Sequence, residues 1–208
     1  LSHKIVIENM LGMSYDKPVR HLREYLSILG PISRGETAHF DGDTYSVHAR
    51  VDAKGSTGFG VVVAALGEQM LRVTAAMADG TLTWCTGPST LAGHTIPTIT
   101  KAAEELGRPA PRVIAALPVC VTQDKEAAAE RAAKVFAVYG TLPSYRAMLD
   151  KEGAAGPADI AITGSVAEVQ DRVAALASIG VTDFAAVEFG ATPDEIGNTR
   201  EALKGLLR

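Results

Sequence analysis

From Gly60 to the C-terminus, short runs of β-branched and small apolar residues alternate with longer alanine-rich stretches, and no other feature restricts the fold as much. A strand, a helix and a second strand in the same direction make the unit of a parallel sheet, so the class is α/β. The run Val61-Val62-Val63-Ala64-Ala65 is apolar throughout, as a strand covered on both faces should be. Leu66-Gly67 breaks it, and Met70, Val73, Thr74 and Met77 then recur on one face of a helix that Asp79-Gly80 stops. Thr81 to Cys85 reads as the next strand, and Thr86-Gly87-Pro88-Ser89 opens a helix ending near Leu106-Gly107. A third strand spans 112–121, with Thr122-Gln123-Asp124 starting an alanine-rich helix to about Tyr139. After an excursion through Leu142 to Tyr145 and a helix to Lys151, Ser165 and Glu168 form a capping-box signature for a helix closing at Gly180. The fourth strand spans 182–188, and the last helix begins near Asp194.

This order predicts that the strands at 61–65, 81–85, 112–121 and 182–188 are consecutive neighbours in one parallel sheet, with helices on a single side, as in a barrel. Four such units do not close a barrel. Strands 61–65 and 182–188 are therefore expected to form open edges, covered by an N-terminal complement or by a second copy of the chain. Upstream, 16–29 is amphipathic, with Val19, Leu22, Tyr25, Leu26 and Leu29 on one stripe, and Phe40 to Tyr45 carries a tight-turn signal read as a hairpin insertion. The Gly-Ser-Thr-Gly stretch within 52–60 reads as a flexible connection inside one domain spanning 1–208.

Twenty Lys and Arg against 24 Asp and Glu give a net charge of −4 without a basic stripe, which excludes the electrostatic footprint of nucleic-acid binding. No apolar run reaches membrane length and no signal-peptide pattern opens the chain. Cys85 and Cys120 lie inside apolar runs, as buried free thiols of a reducing compartment would; the expected location is cytoplasmic. The histidines at 3, 21, 39, 48 and 94 share no metal-ligand spacing, so no metal site is expected. Gly55 to Gly60 precedes its strand and has the wrong spacing for a dinucleotide fingerprint.

Two βα turns, Ala64-Ala65-Leu66-Gly67-Glu68-Gln69 and Thr86-Gly87-Pro88, place a glycine at a helix N-terminus on adjacent strands, the arrangement that binds a phosphate through backbone amides. A βα turn also takes glycine for geometry alone, but the pairing favours an anion site. Trp84 and Tyr145 are candidates for an aromatic pocket, with core packing as the competing role.

In their order and spacing, Leu1-Ser2-His3, the helix from Ser14 to Leu26, Ala64-Ala65-Leu66-Gly67 with Met70-Leu71, Ala78-Asp79-Gly80, and Thr86-Gly87-Pro88 resemble the luciferase-like monooxygenase superfamily, and within it the coenzyme F420-dependent oxidoreductases. The resemblance implies a (β/α)8 TIM barrel with a hairpin insertion, of which this chain covers the end of strand four through strand eight. It implies hydride transfer between a deazaflavin and a small organic substrate, with His3 near the reacting ring as donor or proton relay. Ala64, Ala65, Leu66, Gly67, Glu68 and Gln69 would hold the phosphate-bearing tail, flanked by Thr86, Gly87 and Pro88. An FMN-dependent monooxygenase and a non-catalytic flavin-binding barrel fragment are the alternatives. The sequence departs from the family at Leu66-Gly67-Glu68, where a second glycine and a proline are common, and the carboxylate of Glu68 would repel a phosphate.

Overall fold

The computed structural model describes residues 3–52, 54–55 and 57–207. Helix α1 (Pro18–Ser33) opens with proline in its first turn, where the missing amide costs nothing, and buries Leu22 and Leu26. Tyr25, expected on the same stripe, is instead 48% exposed. Strands β1 (Ala38–Asp41) and β2 (Ser46–Ala49) pair antiparallel as the anticipated hairpin. Glu24 of α1 clamps its turn by accepting from the Asp43, Thr44 and Tyr45 amides at 3.2, 2.8 and 3.2 Å. Burial pushes the Glu24 carboxyl upward, but the three amides outweigh it and hold the group below the usual range. Gly42 makes the clamp possible, because a Cβ there would stand 2.7 Å from Glu24 Oε2.

The main sheet contains β3 (Val62–Val63), β4 (Gly80–Trp84), β5 (Arg112–Val121), β6 (Ile162–Gly164) and β7 (Asp183–Glu188), all parallel. The four anticipated strands are consecutive neighbours, β3-β4-β5-β7, and among the described residues β3 and β7 stand at the edges. The short β6 was not foreseen. Even-numbered residues along β5 and just past its end bond toward the β4 and β6 side, as the Arg112 amide on O of Asp79, the residue before β4, and the Thr122 amide on Gly164 O of β6 show. Odd-numbered carbonyls, Val113 and Val119, accept from Thr182 and Phe189 on the β7 side. Strand β6 therefore continues the β4 edge beyond the end of β4.

Helices α2 (Glu68–Met77), α4 (Ile96–Glu105), α7 (Val166–Ser178) and α8 (Pro193–Lys204) cover one face. Val63, Ala65, Val113, Ala115, Leu117 and Val119 point into that layer against Leu71, Ile99, Val169 and Ala202. The expectation of helices on a single side is corrected at one end. Helix α5 (Lys125–Val135) and the turn after it pack Ala128, Ala132 and Phe136 against Cys120 on the opposite face. The period-2 alternation decides both layers, since Leu82, Trp84 and Ile114 on that second face are only partly buried.

Three local readings also change. The strand expected over 61–65 forms ladder pairs only at 62–63, because side chains of the neighbouring strand take the remaining backbone groups: Asp79 accepts from the Val61 amide at 2.6 Å, and Thr81 Oγ1 bonds Val63 O at 3.0 Å and Ala65 O at 3.1 Å. The helix after Gly87 is composite, with a short α3 (Pro88–Thr90), a π segment (Leu91–Thr95) and then α4. The glycine stretch near 58 is pinned rather than loose, for the Phe59 amide bonds Ser33 O at 3.0 Å and a Cβ on Gly58 would lie 2.9 Å from the same oxygen.

The capping box forms as expected: Glu168 accepts from the Ser165 amide at 2.8 Å, and Lys125 Nζ reaches the same carboxylate at 2.5 Å. The lysine first, then the Ser165 groups, lower the Glu168 pKa to about 2. A carboxyl held below its unfolded value stabilises the fold above that value, and the contribution disappears as pH falls from about 4.5 toward 2. Glu168→Gln is accordingly expected to unfold more easily than wild type at pH 7, with the gap closing below pH 4; urea midpoints at both pH values measure it, and an unchanged gap would contradict this role.

Candidate functional site

A cavity of about 390 Å³ opens at the C-terminal ends of β3 and β4. Tyr25, Leu26 and Leu29 of α1 form one wall, Val62, Ala64, Leu66 and Gly67 the floor, Leu82 and Trp84 the back, and Tyr145 of helix α6 (Pro143–Glu152) the far side with His3 and Tyr15. The structure thus brings His3, Ala64, Leu66, Gly67, Trp84 and Tyr145 to one place. Ala65 is buried toward the helix layer. Leu1 and Ser2 lie outside the described residues, so the strand end anticipated there has no described counterpart; His3 precedes a π-helical turn over Val6–Met10. Its Nδ1 is 3.4 Å from Ser144 Oγ, and its ring is 4.9 Å from that of Tyr145.

Gly67 is extended (φ −76°, ψ 151°) and caps α2 without a side chain. The first helical bond runs from the Leu71 amide to Gly67 O, which leaves the Glu68, Gln69 and Met70 amides without a protein acceptor among the described residues. This is the free, positively polarised end that attracts an anion. The repulsion expected from Glu68 is relieved by geometry: its Oε1 accepts from Arg72 Nε and Nη2 at 3.1 and 3.0 Å, and the carboxylate is not part of the cavity wall. His94 of the π segment donates from Nε2 to Leu66 O at 2.9 Å and so fixes the turn from behind. A π-bulge shifts the residues that follow around the helix axis, and such insertions concentrate at functional sites.

The second glycine turn is not open to an outside anion. The Ser89 and Thr90 amides donate to Glu152 Oε1 and Oε2 at 3.1 and 2.6 Å, so the chain's own carboxylate fills the helix end. Gly87 permits this approach, since a Cβ would come within 2.3 Å of Glu152 Cδ. Thr86 is fully buried, its hydroxyl donating to Trp84 O at 3.2 Å, and only Pro88 of the three is exposed. Thr86, Gly87 and Pro88 therefore shape the turn rather than offering free donors to a phosphate. Glu152 escaped the sequence reading because nothing about a glutamate at a helix C-terminus announces a partner 62 residues earlier.

Between the two turns, β4 ends in an unusual backbone. Cys85 has φ +52°, rare for a residue with a side chain, and is fully buried; burial pushes its thiol up to about 12, which makes it a poor nucleophile. Trp84 meets Phe136 and Tyr139 edge-on at 5.6 and 5.4 Å, and Tyr139 meets Tyr145 at 5.6 Å. Trp84 Nε1 is buried with no partner among the described residues, an unused donor beside an apolar, aromatic cavity. Burial first, then Cys85 and Tyr139, raise the Tyr145 phenol above its ordinary value, so it stays a neutral donor. Among the described residues no three His, Cys, Asp or Glu side chains converge as a metal site, and no helix is long and apolar enough to cross a membrane.

An open helix N-terminus next to an aromatic cavity suits a planar cofactor with an anionic tail, and the comparisons with known proteins agree in fold. No curated protein matches the chain. Among solved structures, the coenzyme F420-dependent tetrahydromethanopterin reductase of Methanopyrus kandleri superposes with a TM-score of 0.72 at 19% identity, over 92% of this chain and 67% of its own. An F420-dependent secondary alcohol dehydrogenase in complex with an F420–acetone adduct gives 0.69 at 15% identity, over 97% of this chain and 66% of its own. The riboflavin lyase RcaE with modified FMN and riboflavin gives 0.67 at 13% identity, over 97% and 60%. The chain thus spans about two thirds of the length of these structures, and its parallel sheet and helices are part of a luciferase-like TIM barrel. The family model for luciferase-like monooxygenases matches residues 2–206, and the chain belongs to that family.

Proposed function

We propose that this chain carries the cofactor-tail side of a deazaflavin-dependent oxidoreductase that moves a hydride between coenzyme F420 and a small organic substrate. The supporting observation is the open N-terminus of α2 beside Gly67, together with a cavity that no lysine or arginine lines among the described residues. A phosphodiester carries one negative charge, which amides and a helix dipole can meet unaided. The terminal phosphate of FMN, with a second pKa near 6, is largely a dianion at neutral pH and calls for a cation or hydroxyl that the turn lacks. The deazaflavin, when bound, supplies the hydride chemistry. Of the chain's own groups, the Glu68 and Gln69 amides hold the tail, Ala64 and Leu66 leave room for it, Trp84 and Tyr145 wall the ring and substrate and exclude water, and His3 donates a hydrogen bond or relays a proton. The reading includes a completed barrel, in which an N-terminal half or a second copy covers the edges at β3 and β7.

Titrating the purified chain with F420 and, separately, with FMN, followed by cofactor fluorescence, tests the choice. Tighter binding of F420 is expected. Tighter binding of FMN favours the monooxygenase chemistry, and absence of both at high micromolar concentration overturns the cofactor assignment in favour of a non-catalytic fragment.

A further inference from the structure

Away from the cavity, the β1–β2 hairpin gathers a second set of chemically active side chains. The register pairs His39 with His48 and Asp41 with Ser46, so these four share one face of the ribbon. Ala38, on the other face, is fully buried, while the His and Asp side chains are exposed. The two Nδ1 atoms stand 3.4 Å apart. Behind them, His48 Nε2 lies 3.1 Å from Asp41 Oδ2, and Ser46 Oγ donates to Asp41 Oδ1 at 2.5 Å.

We propose that this face binds one divalent transition-metal ion of the zinc class through Nδ1 of His39 and Nδ1 of His48, with Asp41 orienting His48 by accepting from its Nε2. The distance fits the chemistry. An ion about 2.1 Å from each nitrogen, the usual zinc–imidazole length, would see nitrogens 3.4 Å apart at an angle of about 108°, near the tetrahedral value. The tautomer fits as well: a carboxylate at Nε2 keeps the proton on that nitrogen and leaves the Nδ1 lone pair free, the outer hydrogen bond that metal-bound histidines commonly have. The Ser46 hydroxyl donates to Asp41 Oδ1 and leaves Oδ2 facing His48 Nε2. Imidazole nitrogen selects zinc, nickel and copper over magnesium or calcium. A separation of nine residues between ligands carries no sequence signature, because hairpin register alone makes them neighbours.

The test is calorimetric titration of zinc sulfate into the untagged, chelator-treated chain, alongside His39→Gln, His48→Gln and Asp41→Asn. One ion per chain is expected, with affinity at least tenfold lower in each histidine variant and about tenfold lower in Asp41→Asn. All three positions are exposed, and far-UV circular dichroism checks that the variants are folded. Histidine ring resonances of wild type give a reading that needs no variant: zinc should shift those of His39 and His48 before those of His3, His21 and His94. Lack of stoichiometric binding, wild-type affinity in either histidine variant, or earlier shifts at the other histidines would each overturn the proposal.

Discussion

Gly67→Val is expected to weaken F420 binding by at least tenfold, about 1.4 kcal/mol, while lowering the melting temperature by only about 2–4 °C. The two effects separate because of where the residue stands. Its backbone is extended rather than left-handed, so any L residue can adopt it, and a Cβ built there meets no atom within 4 Å. The fold loses only the preference of a helix N-terminus for glycine over valine, about 1 kcal/mol. A ligand anion on the Glu68 and Gln69 amides needs the space that the valine methyls would fill. Gly67→Ala should fall between the two. Fluorescence titration and a thermal melt on the same preparations measure both quantities, and undiminished affinity in Gly67→Val would remove the α2 N-terminus from the site.

Much of this architecture was legible because parallel sheets write themselves plainly. The span 112–121 is legible residue for residue, since a strand buried on both faces admits only apolar and small side chains between its charged start at Arg112 and the Thr122-Gln123-Asp124 helix start. The Ser165–Glu168 box was equally direct, as its two hydrogen bonds lie within four consecutive residues. What escaped was set by partners distant in sequence. The ladder at β3 is shortened by side chains from Asp79 and Thr81, and β6 exists because Gly164 O finds the Thr122 amide. At the site, the Gly67 and Gly87 turns look alike as sequence. Only the fold shows that Glu152 seals one, whereas the other stays open with His94 bound to its carbonyl. A local pattern can announce a helix end that wants an anion; it cannot say whether the chain already supplies one.

The largest loss of stability is expected from Gly80→Val, at the first residue of β4. Gly80 sits between two neighbours, paired with Val62 of β3 on one side and with Arg112 of β5 on the other. A Cβ at this position would lie 2.3 Å from the main-chain oxygen of Arg112 and 2.8 Å from its Cβ. Because the nearest atom belongs to backbone, no side-chain rotation relieves the overlap, and β4 must move away from β5 at the start of their ladder. That movement would disturb the Arg112 amide bond to Asp79 O, and Asp79 also holds β3 through the Val61 amide. The cost should reach or exceed the top of the usual overpacking range, about 3 kcal/mol, and lower the melting temperature by roughly 6–12 °C for a chain of this length. Since β3 carries the Ala64-to-Gly67 turn, cofactor affinity should fall together with stability, in contrast to Gly67→Val. Differential scanning calorimetry with cofactor titration distinguishes the two patterns: a Gly80→Val chain that melts within 2 °C of wild type would show that the β4–β5 register is not held as tightly as the Gly80–Arg112 contact requires.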